Sequence, residues 1–119
     1  MQNDWIILGA ALNLTTSSPE QVASLIKDYV QKRAHLPKGK SMGCVFKNPP
    51  NAFAGKLIEG AGLKGLRIGG AVVSTIHANF ILNDGGARSA EIKRLIEIMK
   101  NAVYAQYRVR LEEEIRYLD

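Results

Sequence analysis

Ten of the eleven glycines in this 119-residue chain fall between Gly39 and Gly86. Glycine gives up more backbone freedom on folding than any other residue, so a chain concentrates it where positive φ or close backbone approach is required. The middle of this chain must therefore hold its tightest turns, and the site is expected among them. The only cysteine, Cys44, stands near the head of the stretch, in Gly43-Cys44-Val45-Phe46-Lys47-Asn48-Pro49.

Around this middle, helices and short strands are interleaved without a regular strand-helix-strand repeat. Trp5 to Leu14 reads as a strand, apolar at both parities and then alternating. Ser18-Pro19-Glu20-Gln21 is a helix start, with Ser18 and Gln21 spaced as a capping box and Pro19 suited to the first helical position. Val22, Leu25, Ile26, Tyr29 and Val30 then form one apolar stripe, expected to pack inward. Ser41 to Lys47 is a strand stopped by Pro49-Pro50. Asn51 is placed to cap a helix carrying Phe53, Leu57 and Ile58. Leu66–Ile68, Val72–Ser74 and His77–Asn83 are extended pieces, and Ser89 is placed to cap the longest helix, with Ile92, Leu95, Ile96, Met99 and Val103 inward. Val109 to Leu118 closes the chain as a strand with Glu112, Glu114 and Arg116 on one face. These patterns predict a single α+β domain spanning 1–119, with a small mixed sheet of short strands packed by three helices. The buried-looking strand 5–14 starts abruptly, and it is expected to belong structurally to a preceding domain.

Charge narrows the function classes. Six basic residues and no acid lie between Asp28 and Glu59: Lys32, Arg33, Lys38, Lys40, Lys47 and Lys56. Such a block attracts anions, and it is equally compatible with a solvated surface. A non-enzymatic anion- or nucleic-acid-binding module is therefore one reading. Against it, Glu112-Glu113-Glu114 offset the charge, and the aromatics form no stacking platform. No apolar run approaches the ~18 residues of a membrane span. One cysteine excludes an internal disulfide and fits a reducing compartment, so a cytoplasmic protein is expected.

Cys44 is the first candidate for chemistry. A lone cysteine is often a small buried hydrophobe, but this one lies beside Lys47, whose ammonium is expected to favour the thiolate. The histidines available as partners are His35 and His77, at spacings of no recognised cysteine-histidine enzyme. One Cys and two distant His do not make a metal site. The glycines fit neither a P-loop nor a dinucleotide fingerprint. Glu114 and Arg116 could present a carboxylate and a guanidinium to one ligand, or form a surface pair.

Six ordered motifs go further. Gly43-Cys44-Val45-Phe46-Lys47-Asn48-Pro49, Ala54-Gly55-Lys56-Leu57-Ile58-Glu59, Ala61-Gly62-Leu63-Lys64-Gly65, Ile68-Gly69-Gly70-Ala71, His77-Ala78-Asn79-Phe80-Ile81 and Leu111-Glu112-Glu113-Glu114-Ile115 resemble the C-terminal, substrate-binding domain of the UDP-N-acetylenolpyruvoylglucosamine reductase family. These enzymes of peptidoglycan precursor synthesis are also called UDP-N-acetylmuramate dehydrogenases. The resemblance implies FAD, held mainly by an N-terminal domain, with NADPH as reductant and UDP-N-acetylenolpyruvoylglucosamine as substrate. It implies no nucleic-acid or membrane partner. It places the proton donor at Cys44, where many members carry serine, and a thiol is competent as a general acid. It places the second catalytic group at Glu114, which in the family usually follows a proline rather than Glu113. It puts Asn48, Lys47, Arg116 and His77 at the substrate, and the basic block at Lys32–Lys40 near its diphosphate or carboxylate.

Overall fold

A computed structural model describes residues 8–117 of the chain, which fall into two units, Met1–Ala34 and His35–Asp119. In the first unit, helix α1 (Pro19–Lys32) starts as its sequence dictates. The Ser18 hydroxyl accepts from the Gln21 backbone N–H at 3.2 Å, and the Gln21 side chain accepts from the Ser18 N–H at 3.3 Å. Its apolar stripe is exposed, with Leu25 and Val30 more than half accessible, and no residue of α1 is buried. Of the expected strand 5–14, residues 5–7 lie outside the described residues; 8–14 have no regular structure and are exposed. Alternating apolar residues make a strand only when a neighbour supplies ladder partners, and no described segment pairs with these.

The second unit is built on a four-stranded sheet. Strands β1 (Lys40–Cys44), β2 (Arg67–Ile68), β3 (Ala71–Val73) and β4 (Phe80–Asn83) lie in the order β1-β4-β3-β2. The α+β class is as expected, but every pairing is antiparallel where mixed pairing was anticipated. Parallel neighbours need a crossover of a dozen or more residues, and β2, β3 and β4 are joined by short turns. The turn between β2 and β3 is tight against the loop after β4. A Cβ on Gly70 would lie 2.4 Å from the Gly85 carbonyl oxygen, so only glycine fits there.

Helix α2 (Ala54–Gly60) and helix α3 (Ser89–Tyr107) complete the unit. Leu95, Ile96, Met99 and Val103 of α3 enclose a core with Val45, Phe46, Ile58, Val73, Ile81 and Leu111. Both expected caps are replaced. Asn51 adopts a left-handed turn conformation (φ 60°), and the Asn48 side chain instead accepts from the Ala54 N–H at 3.0 Å. Ser89 lies inside α3, whose N-cap is Arg88. Glu91 reaches back to accept from the Arg88 N–H at 3.0 Å and also takes the Gly70 N–H at 3.2 Å, binding the hairpin to the helix.

Three of the longer expected strands fall short of their patterns, and the first, β1, ends at Cys44 rather than Lys47. His77–Asn79 forms a turn, and β4 begins only at Phe80. Residues 109–117 make a single antiparallel bridge, Phe46 with Glu113; Leu118 lies outside the described residues. Pairing is confined to 45–47 because Pro49 and Pro50 follow on the partner segment and have no N–H to continue a ladder.

Candidate functional site

The site starts from a defect in β1. Ser41 pairs with Leu82 and Cys44 with Phe80, so Met42 and Gly43 stand opposite Ile81 alone. Gly43 takes the left-handed conformation (φ 84°) that such a bulge needs. The extra residue turns Cys44 onto the same face as Ser41, which an unbroken strand would place opposite. Cys44 thereby lines a cleft of about 400 Å³ with Asn48, Phe53, Lys56, His77 and Asn79.

Asn79 organises that cleft, and the sequence reading did not single it out. It is 2% exposed. Its side-chain oxygen accepts from the Phe46 N–H at 3.0 Å and its amide donates to the Phe46 carbonyl at 2.8 Å. Its backbone carbonyl takes the Val45 N–H at 2.9 Å. One asparagine thus continues the pairing after the strand has ended, satisfying groups that would otherwise be buried without partners. The same side chain lines the cleft beside the Cys44 thiol. The available signal was an asparagine at an alternating position of an apolar run; its neighbours made it read as solvent-facing.

The thiol is tuned in the direction opposite to the one expected. Burial pushes its pKa up, the nearby Glu114 carboxylate pushes it further, and the polar Asn79 side chain only partly offsets them. Lys47 does not counter this, because its ammonium pairs with Glu112. Cys44 is therefore a protonated thiol at neutral pH, suited to giving a proton rather than to nucleophilic attack.

The structure brings Cys44, Asn48 and His77 to one cleft. The His77 Nδ1 accepts from the Asn79 N–H at 3.2 Å, so the neutral ring carries its proton on Nε2. A Cβ on Gly55 would lie 3.0 Å from the His77 Cε1, so glycine lets α2 close against the ring. Glu114 arrives from the far end of the chain, its N–H donating to the Val45 carbonyl at 2.8 Å. Lys47 is turned towards Glu112, and Glu114 and Arg116 are exposed; none of the three lines this cleft. Phe53 and Ile76, both about 60% exposed, form an apolar lip beside Lys56.

Residues 34–118 match the family model described as UDP-N-acetylenolpyruvoylglucosamine reductase, C-terminal domain. The reductase of that name from Syntrophobacter fumaroxidans is 49% identical over 116 residues, 96% of this chain and 34% of the relative. The one from Chlamydia felis is 44% identical, over 94% of this chain and 38% of its own length. The crystal structure of UDP-N-acetylenolpyruvylglucosamine reductase from Thermus caldophilus superposes with a TM-score of 0.68 at 39% identity, covering 86% of this chain and 37% of that one. The chain thus spans between a third and two-fifths of the length of these relatives.

Proposed function

The chain belongs to the UDP-N-acetylenolpyruvoylglucosamine reductase family, as its C-terminal domain, and on that footing we propose that it is the substrate-binding and proton-donating part of such a reductase. The observation that carries this reading is a thiol held protonated in a cleft, at the position where the family motif calls for a proton donor.

Reducing the enolpyruvyl double bond of UDP-N-acetylenolpyruvoylglucosamine to the lactyl ether of UDP-N-acetylmuramate adds a hydride to one carbon and a proton to its neighbour. The resemblance implies FAD, recharged by NADPH, as the hydride source. The donor set of this cleft does not fit a flavin dinucleotide. The cleft's lining offers one cation, Lys56, together with the carboxylate Glu59, so a diphosphate, the flavin's or the substrate's, must find its cations outside this cleft. No step through FAD is therefore assigned to these residues, and the flavin's place is in the N-terminal domain that the resemblance implies.

This chain's own residues supply the other half. Cys44 gives its proton to the carbon that becomes carbanionic, and Asn79 fixes the strand end that carries the sulfur through its two bonds to Phe46. Glu114 opposes ionisation of the thiol, so the proton stays on sulfur until the carbanionic carbon takes it. His77 offers its Nε2–H and Asn48 its amide N–H to substrate oxygens. Lys47 and Arg116, outside the cleft, meet the substrate's outer groups.

The test uses the Syntrophobacter fumaroxidans reductase with its matching C-terminal portion replaced by this chain, here the assembled reductase. Cys44→Ala and Glu114→Gln are each expected to lower kcat by about 10² to 10⁴, the usual worth of a general acid, while substrate affinity stays within about threefold. Near-normal turnover in either variant removes that residue from the mechanism.

A further inference from the structure

The C-terminal segment carries a second carboxylate that the proposed reaction does not use. Glu113 Oε1 lies 3.0 Å from Lys100 Nζ of α3, and Glu113 Oε2 accepts from the Tyr117 hydroxyl at 2.6 Å. Lys100 also reaches Glu97 at 3.1 Å, and the Lys93 ammonium sits 4.6 Å over the Tyr117 ring. Residues 113 and 117 are thus fastened to one face of α3. Ile115, on the same parity, packs against the core.

The backbone holds this segment only loosely. Two hydrogen bonds join it to 45–47, from Lys47 N–H to Glu112 C=O and from Glu114 N–H to Val45 C=O. Neither uses the N–H or carbonyl of Glu113. The extended alternation at the bridge then puts Glu112 and Glu114 on the side away from α3, where Glu112 pairs with Lys47 and Glu114, bonded through its N–H to Val45, lies near enough to Cys44 for its charge to act on the thiol. The segment's rotation is set by the side chains of one parity, Leu111 and Ile115 in the core and Glu113 between them on α3.

We propose that Glu113 is a positioning residue: clamped by Lys100 and Tyr117, it holds Glu114 at the Cys44 thiol. This rests on the role given to Glu114 above. The clamp is charged under working conditions. Burial opposes the Glu113 carboxylate, but the Tyr117 and Lys100 bonds outweigh it, and the group titrates below the usual carboxylate range.

A double-mutant cycle on the assembled reductase separates positioning from a general structural role. Displacing a catalytic group by an ångström can cost on the order of 10²-fold, so Glu113→Gln is expected to lower kcat about tenfold or more, with KM within about twofold. In a Glu114→Gln background the same change should cost less than about twofold, because the group it positions is gone. Tyr117→Phe, which removes one hydrogen bond, should follow the same pattern more weakly and serves if Glu113→Gln does not fold. An equal loss in both backgrounds, or no loss in either, overturns the inference alone. Wild-type turnover by Glu114→Gln itself overturns the role of Glu114 and this inference together.

Discussion

Cys44 shows how a residue's neighbours decide its chemistry. Sequence proximity to Lys47 suggested an activated thiolate, yet the fold gives that ammonium to Glu112 and brings Glu114 to the sulfur instead. The sign follows directly. Burial and a nearby negative charge both disfavour the thiolate, so the folded-state pKa lies above the ordinary thiol value of about 8.5. Since the chain has one cysteine, alkylation by iodoacetamide reports this thiol alone. The rate should rise with pH through a midpoint above about 8.5, and Glu114→Gln should move that midpoint down by removing the opposing charge. A midpoint below the ordinary value, or one indifferent to Glu114→Gln, contradicts the geometry described for the pair.

Among the elements, the bulge in β1 and the turn before β4 matter most, because together they make the cleft. Asn79 closes the gap they leave by bonding both backbone groups of Phe46. Asn79→Ala would strand a buried N–H and a buried carbonyl, each costing about 1–3 kcal/mol. Chemical denaturation of the chain should show a loss of about 2–5 kcal/mol with the m-value unchanged. A loss below about 0.5 kcal/mol, the range of ordinary surface substitutions, would show that Asn79 does not carry the strand end. Elements of this kind were only partly readable from the sequence. The capping box of α1 and the apolar face of α3 depend on neighbours three and four residues away, and both came through in the pattern. Asn48 capping α2 and Asn79 continuing a strand depend on spacings or long-range contacts that no local pattern carries, and Glu91 caps α3 at the usual three-residue spacing but opposite Arg88, a residue type that does not mark an N-cap. The strand expected at Val109–Leu118 reduced to one bridge for the same reason, since its length is set by prolines in another segment.

At the level of the whole molecule, the second unit holds both proposed catalytic residues, seventy positions apart in sequence, on segments joined by two backbone hydrogen bonds at Val45–Lys47. The glycine-rich stretch supplies the residues that line this cleft, and the family motifs point to a reaction that composition and periodicity alone left open. The apolar stripe on α1 is the clearest case where the pattern was right and its burial was not: the helix forms as expected, and its stripe is exposed. Among the described residues no helix is long and apolar enough to cross a membrane. The central claim is that Cys44 acts as a proton donor, and the measurement that reaches it most directly is kcat of the assembled reductase with serine or alanine at position 44. Serine keeps a donor of similar size and alanine has none, so Cys44→Ser should stay within about tenfold of the wild type and Cys44→Ala fall by about 10² or more. Equal turnover in the two variants would contradict the claim.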